Sequence, residues 1–199
     1  MLRDLRSRMV PADPLTLAAA RVHEAAGRGR RAFAQFQAMQ HAGPIIWIVP
    51  SHIHELPMLM GLPNGVGERV TLLRPVGEGD LLWCIEETLR SAAVGLVIAE
   101  PEKSLSLTAG RRLQLAAEAG RTTGLMLIHQ DNGSNATETR WACDTVPAPT
   151  ADSTFQRWTL TKNKRGTLGS WVINWDGTSA AFNLVSEAGE RRQSPQTST

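Results

Sequence analysis

The sequence predicts an α/β protein, a parallel core extended by antiparallel hairpins, and three observations carry that prediction. Ile45–Val49, Val94–Ala99 and Gly124–His129 are continuous apolar runs of strand length, as in strands buried on both faces. Segments of helical spacing alternate with them, the pattern of parallel βαβ units with right-handed crossovers. After Glu138 the segments become shorter and alternating, separated by turn residues such as Lys-Arg-Gly and Asp-Gly, which predicts hairpins.

The elements follow in order. Arg6–Pro14 is a polar, proline-bounded lead. Leu15–Ala26 reads either as one helix or as a loop followed by a short strand at Arg21–Ala25. Gly27-Arg28-Gly29-Arg30 breaks that segment. Arg30–His41 then has Phe33, Phe36 and Met39 on one helical face, and Gly43-Pro44 stops it. The strand Ile45–Val49 follows, then a loop or short helix at Ser51–Leu62 and a strand at Arg69–Arg74. Gly79-Asp80 reads as the cap of a helix over Leu81–Arg90. Beyond the strand Val94–Ala99, Thr108 is placed to cap a helix through Ala119, with Gly120 at its C′ position. Gly124–His129 is the fourth strand of the core. Glu138–Thr145, Phe155–Lys162, Trp171–Trp175 and Ala181–Val185 are the predicted hairpin strands, and Glu187–Thr199 reads as a mobile polar tail.

Composition sets the outer bounds. A chain of 199 residues can bury roughly 70% of its unfolded surface, so it needs no disulfide staples. Its hydrophobic share of 42% and charged share of 20% exclude wholesale disorder. Two lone cysteines, Cys84 and Cys143, exclude a disulfide framework and a four-cysteine zinc site. No apolar run approaches the roughly 18 residues that span a bilayer, and the charged opening has no secretory h-region. These features predict a cytoplasmic protein with no membrane partner. A net charge of +2 is too small to diagnose nucleic acid.

Candidate chemistry is sparse. A P-loop needs glycines that turn backbone N–H groups towards phosphate, a lysine, and a hydroxyl for magnesium. Gly27, Arg28, Gly29 and Arg30, with Arg31, supply glycines and arginines but no Gly-Lys-Ser/Thr, so the loop reads as an anion-binding turn or as a plain basic turn. Glu100 follows a buried strand where an NTPase places its metal-holding acid, and where any strand reaching water also ends. His52-Ile53-His54-Glu55 offers three ligand-type side chains without a third ligand of recognisable spacing, so no metal is expected. No nucleophile elbow is present, and Cys84 lies in an apolar stretch where a thiol is inert. Trp158, Lys162, Lys164, Arg165, Trp171 and Trp175 mix cations with aromatics, a combination that stacks bases and neutralises phosphates. Alternatively, the tryptophans anchor a core or a partner; Trp171, Ile173 and Trp175 share one strand face, which favours packing.

In combination, LLWCIEETLRS at 81–91, VGLVIAE at 94–100, SLTAGRRLQLAAEAG at 106–120, TRWACDTVP at 139–147 and WTLTKNKRG…GSWVINWD at 158–176 resemble the ImuA family, RecA-like accessory proteins of bacterial damage-induced mutagenesis. The resemblance runs from about Arg21 to Val185. It implies a RecA-like three-layer core with a mainly parallel sheet over residues 20–186, a lead segment at 1–19 and a tail at 187–199. Val22–Gly27 resembles the strand entering the RecA P-loop, whose Gly-Lys-Thr is gone. Pro50 and Ser51 stand where RecA carries its catalytic glutamate. Val94–Glu100 resembles the Walker B strand. Leu125–Gln130 resembles the strand ending in the RecA glutamine that senses nucleotide and opens a DNA-binding loop, so Gln130, Asn132 and Ser134 are candidates to face DNA. Lys162-Asn163-Lys164 resembles the RecA lysine pair that reaches a neighbouring protomer, so Lys162, Lys164 and Arg165 are candidate partner contacts.

The resemblance therefore implies a non-catalytic adaptor of SOS translesion synthesis, without a cofactor. Its partners would be RecA and ImuB, and through ImuB an error-prone DNA polymerase on the sliding clamp. Three rival readings are a single-stranded DNA-binding accessory protein, a cell-division inhibitor resembling SulA and a true NTPase with an unorthodox arginine loop.

Overall fold

A computed structural model describes residues 14–59, 62–63, 65–129, 133–147, 153–176 and 181–189, with no account of the side chains of Ser153, Ala181 and 186–189. These residues form one nine-stranded sheet. The strands are β1 (Val22–Ala26), β2 (Ile45–Ile48), β3 (Val70–Leu73), β4 (Leu96–Ala99), β5 (Thr123–Leu127), β6 (Thr139–Val146), β7 (Ser153–Asn163), β8 (Gly169–Asp176) and β9 (Ala181–Gly189). Their order is β3-β2-β4-β5-β1-β6-β7-β8-β9. The first six run parallel, and β6 to β9 pair antiparallel. The predicted parallel core with a hairpin extension is the observed architecture.

The strand periodicity explains the layering. In β2, β4 and β5, Ile45, Trp47, Leu96, Ile98, Leu125 and Leu127 point to one face, and Ile48, Val97, Ala99 and Met126 to the other. Helix α1 (Arg30–Gln40) covers the first face with Phe33, Phe36 and Ala38. Helices α2 (Gly77–Arg90) and α3 (Leu107–Gly120) cover the second with Leu81, Ile85, Leu89, Leu113, Ala116 and Ala117. Trp141, Trp158 and Trp171 of the hairpin layer complete the α1 face, and the Phe33 ring centroid lies 5.0 Å from those of Trp141 and Trp158. The three tryptophans are core; Trp175 packs tilted against Phe182, ring centroids 4.6 Å apart.

Several boundaries move. The ambiguous segment resolves as loop and strand: Leu15 and Leu17 are buried against the α1 face, and Val22–Ala26 is extended. Helix α2 begins at Gly77, with Glu78 and Asp80 inside its first turn, where their charge suits the positive end of the helix. Ser106, not Thr108, caps α3, accepting from the Ala109 N–H. Gly120 stays helical, packed so closely on the end of α2 that a Cβ would lie 2.0 Å from the Leu89 carbonyl oxygen, and Arg121 takes the left-handed terminal position at φ 56°. Strand β9 runs to Gly189, so the first three residues of the segment read as tail are strand. Residues 190–199 and most of the N-terminal lead lie outside the described residues. Among those described, no helix is long and apolar enough to cross a membrane.

Candidate functional site

In open α/β sheets, ligands bind beyond the carboxyl ends of the parallel strands. That edge here holds a cavity of about 570 Å³. Arg28, Arg30 and Arg31 reach it from the β1–α1 connection, Pro50, Ile53 and Glu55 from the segment after β2, Glu100 and Glu102 from the segment after β4, and His129 from the end of β5. The loop and acid singled out in the sequence thus meet, although 69 positions separate Arg31 from Glu100.

The connection between β1 and α1 is residues 27–29. Gly27 has φ +95°, and a Cβ on it would lie 2.3 Å from the Cys143 carbonyl oxygen. The Gly29 N–H donates to that same oxygen at 2.8 Å, and the Arg30 N–H points back to the Gly27 carbonyl at 3.3 Å. Glycine is required because the turn lies flat on β6. These two amides, which a phosphate-cradling loop would direct at its ligand, serve the protein.

Glu100 is 6% exposed. Arg31 donates to it from Nε at 3.0 and 3.1 Å and from Nη2 at 2.9 Å, and the Trp47 indole Nε1–H donates at 3.0 Å. A carboxylate ending a buried strand is costly unless paired; here an arginine and an indole satisfy it. Arg31 Nη2 also reaches the Glu55 carbonyl at 2.9 Å, tying the loop after β2 to α1. His52 meets Glu102, and His54 is exposed. Among the described residues, His, Cys, Asp and Glu form no cluster of three able to hold a metal.

A second polar centre lies on the α3 side of β1. Residues 133–138, which lead into β6, cross that side without a helix, so their backbone groups need other partners. Glu24, fully buried on β1, accepts from the Ser134 N–H at 2.8 Å, from Arg140 Nε at 3.0 Å and from the Thr137 hydroxyl at 3.2 Å. Lys162 Nζ donates to the carbonyls of Asn135 and Thr137, both at 2.9 Å, and Lys164 Nζ to that of Ala136 at 2.6 Å. Burial, with Lys164 and Arg140 nearby, lowers the Lys162 pKa below its ordinary value.

This placement bears on two expectations from the sequence. Ser134, a candidate to face DNA, is 3% exposed, wedged against Gly110 of α3, with its hydroxyl accepting from the Ala136 N–H. The ammonium groups of Lys162 and Lys164 face their own chain's 134–137 carbonyls. Arg165 is exposed at the β7–β8 turn and pairs with Glu138 at 2.9 Å. Gln130 and Asn132 lie outside the described residues. Glu24, Arg140, Trp47 and His129 were not singled out from the sequence, although the polar His23-Glu24 pair inside an otherwise apolar strand signals a buried network.

Both thiols sit in unreactive surroundings. Burial, and then Asp80, raises the Cys84 pKa; burial, and then Asp144, raises that of Cys143 well above its ordinary value.

No family model matches the chain. It is 28% identical over 148 residues to "Protein ImuA" of Caulobacter vibrioides strain NA1000 / CB15N, and equally to that of strain ATCC 19089 / CIP 103742 / CB 15. The match covers 66% of this chain and 60% of each relative, so the chain spans about three fifths of the length of the curated relatives it matches. Its similarity to these ImuA proteins is distant.

Proposed function

We propose that this protein is a non-catalytic accessory subunit of damage-induced, error-prone DNA synthesis, a RecA-like fold used as a docking body. The distant similarity to ImuA supports the process. The observation that carries the non-catalytic reading is the occupation of Glu100 by Arg31 and Trp47. The acid at the end of β4 already holds a protein cation where a hydrolytic site would hold hydrated magnesium. The turn before α1 has no lysine or hydroxyl for a magnesium-bound triphosphate, and the Gly29 and Arg30 amides are spent on Cys143 and Gly27.

The partners in this reading are RecA and an ImuB-type polymerase homologue, which would bring the chain to an error-prone polymerase on the sliding clamp. The exposed β7–β8 turn, with Lys164 and Arg165, is our candidate contact. Magnesium-dependent ATP turnover by the purified chain tests the catalytic half of the proposal. The expected signal equals the blank without protein; turnover clearly above it overturns the reading.

A further inference from the structure

The cavity at the carboxyl edge has walls of opposite charge. Arg28 and Arg30 stand on the β1 side, with His129 at the end of β5; Glu55 and Glu102 stand on the side of β2 and β4, Glu102 with one carboxylate oxygen on His52. Arg31 and Glu100 neutralise one another. Arg28 is exposed and has no hydrogen bond or ion pair among the described residues. Arg30 gives Nη1 to the Gly27 carbonyl and Nη2 to His129 Nδ1, while its Nε is buried without a partner. With Nδ1 accepting, His129 carries its proton on Nε2, so a third donor is available at the basic wall.

We propose that the cavity binds a phosphate ester without a metal ion. The phosphate lies against Arg28, Arg30 and His129, and hydroxyl or amine groups of the ester's body donate to Glu55 and Glu102. Guanidinium forks match phosphate oxygens in geometry and charge. A cavity of about 570 Å³ has room for a body beyond a single phosphate. No magnesium is needed because Arg31 already neutralises Glu100, and Arg28 and Arg30 meet the charge of the phosphate. This inference rests on the cavity alone and is independent of the protein partners proposed above.

The test is calorimetric titration of the full chain with AMP and with inorganic phosphate, both in EDTA. AMP is expected to bind, about tenfold more tightly than inorganic phosphate. Arg28→Ala, at an exposed and unpartnered position, is expected to leave the thermal melt unchanged and weaken both ligands about tenfold. Glu102→Gln is expected to reduce the advantage of AMP while sparing inorganic phosphate. Binding of neither ligand at millimolar concentration, a requirement for magnesium, or undiminished binding by Arg28→Ala would each overturn the proposal. Equal affinity for the two ligands would overturn the role given to the acidic wall.

Discussion

The Arg31 guanidinium embraces the Glu100 carboxylate, with Nε 3.0 and 3.1 Å from its two oxygens and Nη2 2.9 Å from Oε2. The pair joins the first turn of α1 to the end of β4 and leaves the acid no open position for a metal. Removing the arginine strands a buried charge, whereas neutralising the acid does not. Arg31→Ala is therefore expected to lower stability by about 2–3 kcal/mol, discounted for its partial exposure, and Glu100→Gln by clearly less. Urea melts compare the two, and equal losses would contradict the asymmetry.

The β1–α1 turn has its own signature. Gly27→Ala combines a left-handed φ of +95° with a backbone oxygen 2.3 Å from the new Cβ, and its expected cost is about 2–4 kcal/mol. At Gly29 the closest obstacle, at 2.1 Å, is the Gln156 side-chain oxygen, which can rotate away. Gly29→Ala should therefore cost less in the same melts. The reverse order would show that the turn does not rest on β6 as described.

His23 makes stability depend on pH. It is fully buried, with Nε2–H donating to the Ala18 carbonyl at 3.0 Å and Nδ1 accepting from the Thr139 hydroxyl at 2.7 Å. Burial pushes its pKa down to about 4. Below pH about 6.5 the unfolded chain takes up a proton that the folded chain refuses. Stability is thus complete above pH 6.5 and falls as the pH drops towards 4, by about 3 kcal/mol in all. His41 is shifted in the same direction by burial, so the measurement is a difference: His23→Gln should show the shallower loss between pH 7 and pH 4.5. Parallel curves would remove His23 as the cause.

Lys162 and Lys164 fasten the crossing segment. The double variant Lys162→Ala/Lys164→Ala should raise amide hydrogen exchange at residues 134–138 by about tenfold or more, because four of their hydrogen bonds to carbonyls are lost there. Exchange in β2 and β4 should stay unchanged. Unaltered exchange at 134–138 would mean that the ammonium groups do not hold this loop.

The fold was largely legible because its signals are local. Buried strands such as Ile45–Val49 are continuous apolar runs, and the α1 face repeats Phe33, Phe36 and Met39 at helical spacing. The site was legible only in part. Gly27 to Arg30 and Glu100 were visible as loop and acid, but their meeting with Trp47 depends on which strands are neighbours, and β1 is separated from β4 by β5. Ser134 looked exposed because the segment between β5 and β6 is polar. Its polarity instead serves an interior crossing without a helix, where Glu24 and two ammonium groups satisfy the backbone. Local patterning cannot distinguish a polar loop facing water from one that satisfies buried partners.

Docking without ATP turnover is tested most directly by capture of purified RecA and the ImuB-type polymerase homologue on the immobilised full chain, with and without ATP and single-stranded DNA. Stoichiometric retention of at least one of them is expected. Retention of neither under any of these conditions would contradict docking.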